Sequence, residues 1–325
     1  MIKKTIFSIV VGTAIAFDMS SCQYKDFDEY DGTVPVKVVV DYGDCPTFDI
    51  PLVTRVLFYP LPDMDNPYIC DIKDSAVVNL PTGLIQAFAY NNNSEINRTR
   101  GVLDAKVTPV IYTGKADSRG IYRKDSLDNT VYYDYPDVTY STWATMKVTG
   151  NDKISKPDDN RVVLHMQKVT RPIAIEIQGI KNASFINSIR MSLSGIQQDY
   201  SPMEGFENSY VTIVADGEID TKDQDKGKRS VFDGKTVIDT LYSSFNIFGT
   251  RPQKHILNVF LDGGNWHKVL SYDVTAQINS QTERNDIIRV KVDTDHDIKE
   301  DVAVQGGFDI RFSDWDDNEV PIDMK

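Results

Sequence analysis

Cys22 carries the clearest chemistry in this chain. It follows Ser20 and Ser21 directly, and a cysteine after small residues at the end of a signal can be acylated on its sulfur and freed at its amine by cleavage. The residues before it fit that chemistry. Lys3 and Lys4 hold the start at the cytoplasmic face, and the apolar run from Ile6 to Phe17 is of signal-core length, shorter than a membrane span requires. Met19 stands where leucine is commoner, and Asp18 interrupts the apolar end. Residues 1–21 therefore read as a lipoprotein signal peptide, with plain secretion as the competing reading. Two or three acyl chains would anchor the mature chain lastingly, where one chain anchors only marginally.

Only Cys45 and Cys70 remain once Cys22 is acylated. They could close one disulfide in an oxidising compartment, worth on the order of 3 kcal/mol, or be two small buried thiols. Spacing does not decide between the two, because it does not show whether the Cβ atoms meet.

Catalytic and metal-binding patterns are harder to find. The four histidines, His165, His255, His267 and His296, are scattered, and His165 sits between Leu164 and Met166 in a strand-like run. No Gly-x-Ser-x-Gly elbow, phosphate loop or paired-cysteine metal site occurs. Asp293, Asp295 and Asp297 alternate as calcium ligands do. A calcium-binding loop, however, needs glycine where Ile298 stands and a bidentate glutamate where Val304 stands. Asp223, Asp225 and Gly227 lack the full ligand series as well. The expectation is a non-catalytic protein with no cofactor and no metal.

A tyrosine cluster is the other candidate surface. Tyr122, Tyr132, Tyr133, Tyr135 and Tyr140 lie close to Trp143. Rings of this kind offer contact area at low entropic cost, so Tyr132, Tyr133 and Tyr135 are candidates for an adhesive or sugar-stacking surface. The same rings serve equally as cross-strand pairs within a sheet.

The elements that must position these residues are nearly all strands. Val36, Val38 and Val40 alternate with Lys37, Val39 and Asp41, and the runs Leu52–Tyr59, Ala76–Leu80 and Leu84–Tyr90 end in glycine, proline or asparagine turns. Val162–Lys168 and Ile173–Ile180 flank Thr170-Arg171-Pro172, and a break is expected at Pro172, which has no amide hydrogen for a ladder. His255–Leu261 and Trp266–Val274 form a hairpin around Asp262-Gly263-Gly264-Asn265, with both glycines expected at positive φ. Val237–Phe248 and Ile287–Val292 are further strands. Only Phe185–Leu193 shows helical spacing. Gly150–Asn160 and Asp216–Arg229 read as polar loops. The expected division is a signal at 1–21, a flexible acidic stalk at 22–33, and two β-sandwiches at 34–169 and 170–325.

Charge narrows the partners. The chain carries a formal net charge of −13, and removing the signal, with Lys3, Lys4 and Asp18, makes the mature chain one charge more acidic. That argues against nucleic acid and against electrostatic attraction to anionic lipid.

Several stretches, taken in order, resemble a known family. Pro35-Val36-Lys37-Val38-Val39-Val40-Asp41, Val56-Leu57-Phe58-Tyr59-Pro60, Leu80-Pro81-Thr82-Gly83 and Ala89-Tyr90-Asn91-Asn92 are similar to the first domain of fimbrillin-like lipoproteins of Bacteroides and relatives. Ser192-Leu193-Ser194-Gly195-Ile196, Gly306-Gly307-Phe308, Asp314-Trp315 and Val320-Pro321-Ile322 resemble the second domain. The resemblance implies two tandem transthyretin-like β-sandwiches in a cell-surface protein of the fimbrial superfamily, lipid-anchored in the cell outer membrane. Its implied partners are fimbrial subunits and a host or bacterial surface ligand. It brings no catalytic residues.

Pilus subunits of that superfamily join by strand complementation: a protease cuts after an arginine that follows the first strand, and a neighbour's terminal strand fills the gap. The early arginine here, Arg55, lies inside a run that itself reads as a strand, and Gly43–Pro46 contains none. That favours an anchor or accessory subunit over a shaft subunit, with Glu319–Lys325 either a donated strand or the last strand of its own sheet. A surface glycan-binding lipoprotein is the alternative reading.

Overall fold

The computed structural model describes residues 32–43, 45, 50–62, 64–103, 109–117, 121, 129–150, 160–205, 209–220, 238–281 and 287–298. The signal, residues 22–31 of the stalk including Cys22, Tyr122 and the C-terminal run Glu319–Lys325 lie outside the described residues. Those described are almost entirely strand, and none of their helices is long and apolar enough to cross a membrane.

The alternating valines form β1 (Thr33–Asp41), the middle strand of a three-stranded sheet. It lies antiparallel to β4 (Ser75–Pro81) and parallel to β10 (Arg161–His165). A second sheet runs β11 (Gln167–Lys168), β9 (Tyr140–Val148), β5 (Gly83–Asn91), β2 (Thr54–Pro60) and β3 (Tyr68–Ile72). Val34, Val36, Val38 and Val40 face Val56, Phe58, Ile85, Ala87 and Ala89 across the core between the two sheets.

The centre of the second sheet is buried on both faces. Leu57 and Tyr59 alternate with Val56 and Phe58 and join Phe88, Tyr90, Ile111, Val169, Tyr200 and Phe248 in a second apolar cluster on the far side. This is why Val56-Leu57-Phe58-Tyr59 is a continuous apolar run and not an alternating one. Phe88 stacks on Tyr90 at 5.1 Å between ring centroids, and Trp143 leans on Tyr59 and Phe88.

That outer cluster joins the two halves of the chain. The segment between β5 and β9 carries β6 (Asn97–Arg100) and β7 (Val110–Thr113), and β7 pairs with β14 (Asp199–Tyr200) from the second half. Arg100 Nη2 reaches the buried Asp199 carboxylate at 3.0 Å. The same segment carries β8 (Tyr132–Asp134), which lies parallel to β15 (Tyr210–Asp220).

The second half begins with β12 (Arg171–Lys181), directly after β11. One layer runs β18 (His267–Asp273), β17 (Ile256–Asp262), β13 (Ser188–Gln197), β15 and β8. The other contains β16 (Ile238–Ile247), β12 and the parallel edge strand β19 (Ile288–Asp297), beside which the short helix α1 (Thr275–Asn279) packs. β15 belongs to both layers, pairing with β13 up to Gly217 and with β16 from Glu218. Such a corner needs a small residue: a Cβ on Gly217 would lie 2.6 Å from Ile189 Cγ2. Ile175, Ile177, Met191, Leu193, Leu241, Leu257, Val259, Trp266 and Val290 fill the core.

Four expectations are corrected. Phe185–Leu193 is not helical: a 3-10 turn at Ala183–Phe185 leads into β13, where Ile189, Met191 and Leu193 point inward at every second residue. Asp216–Asp220 belongs to β15, with Asp216 and Glu218 at outward positions; the rest of the expected loop lies outside the described residues. β12 runs through Pro172, whose pairing with β16 is kept while that with β19 starts only at Ile173. In the hairpin turn only Gly264 has positive φ. Gly263 is required by contact, since a Cβ there would lie 1.9 Å from the Trp266 indole nitrogen.

Gly179 generates a direct test of this architecture. It sits in a bulge of β12 that shifts the register with both β16 and β19, at φ +86°, and a Cβ there would lie 1.8 Å from the Thr294 carbonyl oxygen. Gly205 has a similar φ of +78° with open space around it. Gly205→Ala is expected to cost about 1–2 kcal/mol for the left-handed conformation alone. Gly179→Ala is expected to cost clearly more, read as the larger drop in the urea midpoint; equal drops would contradict the bulge.

Candidate functional site: the first strand and its groove

β1 is where the fold seats its first run of apolar sequence. Its four inward valines are almost fully buried, and each is worth roughly 1.5–3 kcal/mol of transfer free energy. Both of its edges are occupied. Thr33 to Val39 pair with Pro81 to Ser75 on β4, and Lys37 to Asp41 pair with Arg161 to His165 on β10. Val40 N–H donates to Asp74 O and Met166 N–H to Asp41 O, so the ladder extends past both neighbours' ends. A segment leaving this slot would uncover two strand edges and a row of apolar pockets at every second residue, the geometry that an incoming strand of the same pattern fills.

The far end of β1 is latched. Tyr42 Oη lies 2.6 Å from Thr54 Oγ1 at a buried contact, and its ring packs edge-on against Tyr140 at 5.1 Å. Asp41 accepts a hydrogen bond from Gly43 N–H and contacts His165 Nδ1 at 2.9 Å; that backbone donor first, and the imidazole second, hold its carboxyl below the usual range. Burial raises the Tyr42 phenol above its ordinary value and raises Tyr59 further, whose hydroxyl donates to Val102 O.

Arg55 is locked in place. It lies in β2 between β5 and β3, opposite Tyr90 on one side and Asp71 on the other. Its Nε and Nη2 donate to the two Asp71 oxygens at 2.8 and 2.7 Å, and this bidentate pair is the main cause that raises its already high pKa. No arginine or lysine lies between Asp41 and Arg55. Asp71 gave no sequence signal, since its role depends on register across strands.

Other singled-out residues serve the fold. Cys45 and Cys70 are thiols packed in the same apolar cluster as β1, and Cys45 Sγ lies 3.0 Å from Tyr140 Oη. Tyr132 is buried edge-on against Phe260, while Tyr133 and Tyr135 are partly buried against the second core. Those ring faces are spent on packing the strap between halves, so the three do not form one exposed platform. His255 is fully buried, with Nδ1 donating to Ser194 O. Asp295 pairs with Lys181 and Asp297 accepts from Asn182, so the β19 carboxylates tie that strand to β12.

Comparison with known proteins follows these features. A family model described as a domain of unknown function, DUF5119, matches residues 21–211. A search of curated proteins gives no significant match. A crystal structure of a candidate adhesin from Bacteroides ovatus superposes with a TM-score of 0.61 at 19% identity, covering 85% of this chain and 97% of that one. A fimbrial anchor protein, Mfa2 of Porphyromonas gingivalis, gives 0.47 at 13% identity, covering 80% and 90%. A second candidate adhesin of B. ovatus gives 0.48 at 9%, covering 83% and 91%.

Two outcomes are expected from this geometry. Brief treatment of the native protein with an arginine-specific protease should leave the Arg55–Val56 bond intact, because a protease must hold several residues extended and clear of the sheet. An early fragment with Val56 at its N-terminus would contradict the pairing. Stability should also be full below the ordinary phenol value of about 10 and fall as pH rises toward the raised values of Tyr42 and Tyr59, since only the unfolded chain ionises easily there. Urea midpoints between pH 8 and 12 should fall less steeply in Tyr59→Phe than in the parent.

Proposed function

We propose that this chain, which belongs to the DUF5119 family, is a lipid-anchored cell-surface protein that acts as an anchor or accessory subunit in fimbrial assembly and adhesion. Its architecture on this reading is two transthyretin-like sandwiches behind a stalk, tethered to the outer membrane through Cys22. The signal pattern before Cys22 and the ordered family-like stretches support the surface role, and the fold shared with a candidate adhesin is compatible with it.

The observation that carries the anchor assignment is the seating of β1. It is paired on both edges, and the first arginine that follows it in the chain, Arg55, is clamped inside a neighbouring strand. A subunit that keeps this strand keeps its own groove full. It stays fixed in the membrane and holds a partner subunit there. The role is non-catalytic.

The test is palmitate labelling of the native chain and of Cys22→Ala in the parent bacterium, with fractionation and recovery of fimbriae. The native chain should be labelled, sit in the outer-membrane fraction with β1 intact and co-purify with fimbrial subunits. Cys22→Ala should be unlabelled and leave the membrane. A native chain that lacks lipid, starts after Arg55 and runs as a ladder of larger species would make it a polymerising shaft subunit instead.

A further inference from the structure

A shallow depression of about 570 Å³ opens at one end of the second half, between the end of β13, the start of β15 and the residues leading into β17. Its volume lies in the range of small-ligand sites. Among the described residues its lining carries one charged side chain, Lys254. Tyr210, Gln198, Gln253 and Ser209 supply an aromatic ring, two amides and a hydroxyl around it.

The walls are fixed by the fold. Gln198 N–H donates to Ser209 O at 3.0 Å and holds the two sides together, and Gln253 Nε2 donates to Gly195 O at 2.5 Å, which sets the plane of its amide. Gly195, at φ +79°, lets this approach occur, because a Cβ there would lie 3.0 Å from Gln253 Nε2 and 2.7 Å from His255 Nδ1. Tyr210 keeps 38% of its surface exposed, and Tyr133 from β8 lines the same depression.

We infer that this depression binds a short saccharide, with the Tyr210 ring against an apolar sugar face and the amides of Gln198 and Gln253 meeting ring hydroxyls. Amides pair with vicinal hydroxyls as donor and acceptor at once, and a ring supplies the apolar contact that hydroxyls lack. Lys254, which is also close enough to Asp273 to help lower that carboxyl's pKa, admits an acidic sugar as well as a neutral one. The site differs from the surface expected at Tyr132, Tyr133 and Tyr135: only Tyr133 is shared, at its margin.

The test is a printed array of neutral and acidic di- to tetrasaccharides probed with the detergent-extracted full chain, followed by saturation-transfer NMR with the best-retained sugar. Retention should fall by at least about tenfold in Tyr210→Ala and in Gln198→Ala, a fold-change equal to roughly 1.4 kcal/mol, with unchanged urea midpoints. Loss of acidic sugars alone in Lys254→Ala would assign that charge. Retention that survives both substitutions, or no retention on the array, would overturn the site. The fimbrial reading is tested on Cys22, so either proposal can fail without the other.

Discussion

The structure depends on a sheet whose central strands are covered on both faces. β2 and β5 bury Val56, Phe58, Ala87 and Ala89 toward β1, and Leu57, Tyr59, Phe88 and Tyr90 toward the second half. A sheet in this position must be covered on both sides before either side is stable. One cover is the β4-β1-β10 layer; the other is built from both halves, with Ile111 on β7 meeting Val169, Tyr200 and Phe248. The joint between the halves is therefore part of a hydrophobic core and not a hinge. The salt bridge from Arg100 to the buried Asp199 sits at that joint and ties the segment between β5 and β9 to the second half.

The same constraint separates what could be exchanged from what could not. β1 belongs to the outer cover, so its loss would open one face of one core and leave the central sheet paired. Arg55 belongs to the central sheet itself, where both edges and both faces are engaged. A cut there would sacrifice the element on which the covers of both its faces pack. Physical accessibility thus opposes processing at the only early arginine, and it does so through the fold and not through the local residue.

Much of this was legible in the chain. The period-two valines of β1, the hairpin at Asp262–Asn265 and the strand character around Arg55 are local signals, and local signals survive into the structure. What the sequence concealed is non-local. Asp216, Gly217 and Glu218 look like loop because the outward carboxylates and the corner glycine hide the inward alternation of Ile213 and Ala215. The parallel partnership of β1 with β10 joins residues more than a hundred positions apart and leaves no local trace. The tyrosines between 132 and 135 read as a surface because their neighbours are charged; their rings are taken up by a strand that one half of the chain lends to the other. For the same reason the saccharide site was not visible, since Tyr210 and Gln198 meet only through the pairing of β13 with β15, and Gln253 joins them only through its contact with Gly195.

The order of elements also bears on how a tether would be loaded. On the proposed reading the lipid sits at Cys22, the stalk follows, and β1 is the first element to take the pull. Strand-to-strand hydrogen bonds lie across the strand direction. A force drawn along β1 from its first residue therefore shears the ladders with β4 and β10 together, where a force across it would open them one bond at a time. The inward valines must leave their pockets in the same motion, and the Tyr42 latch lies at the strand's far end, reached last. A first strand held in this way is poorly suited to being given up and well suited to bearing load, which is what separates an anchor from a shaft subunit.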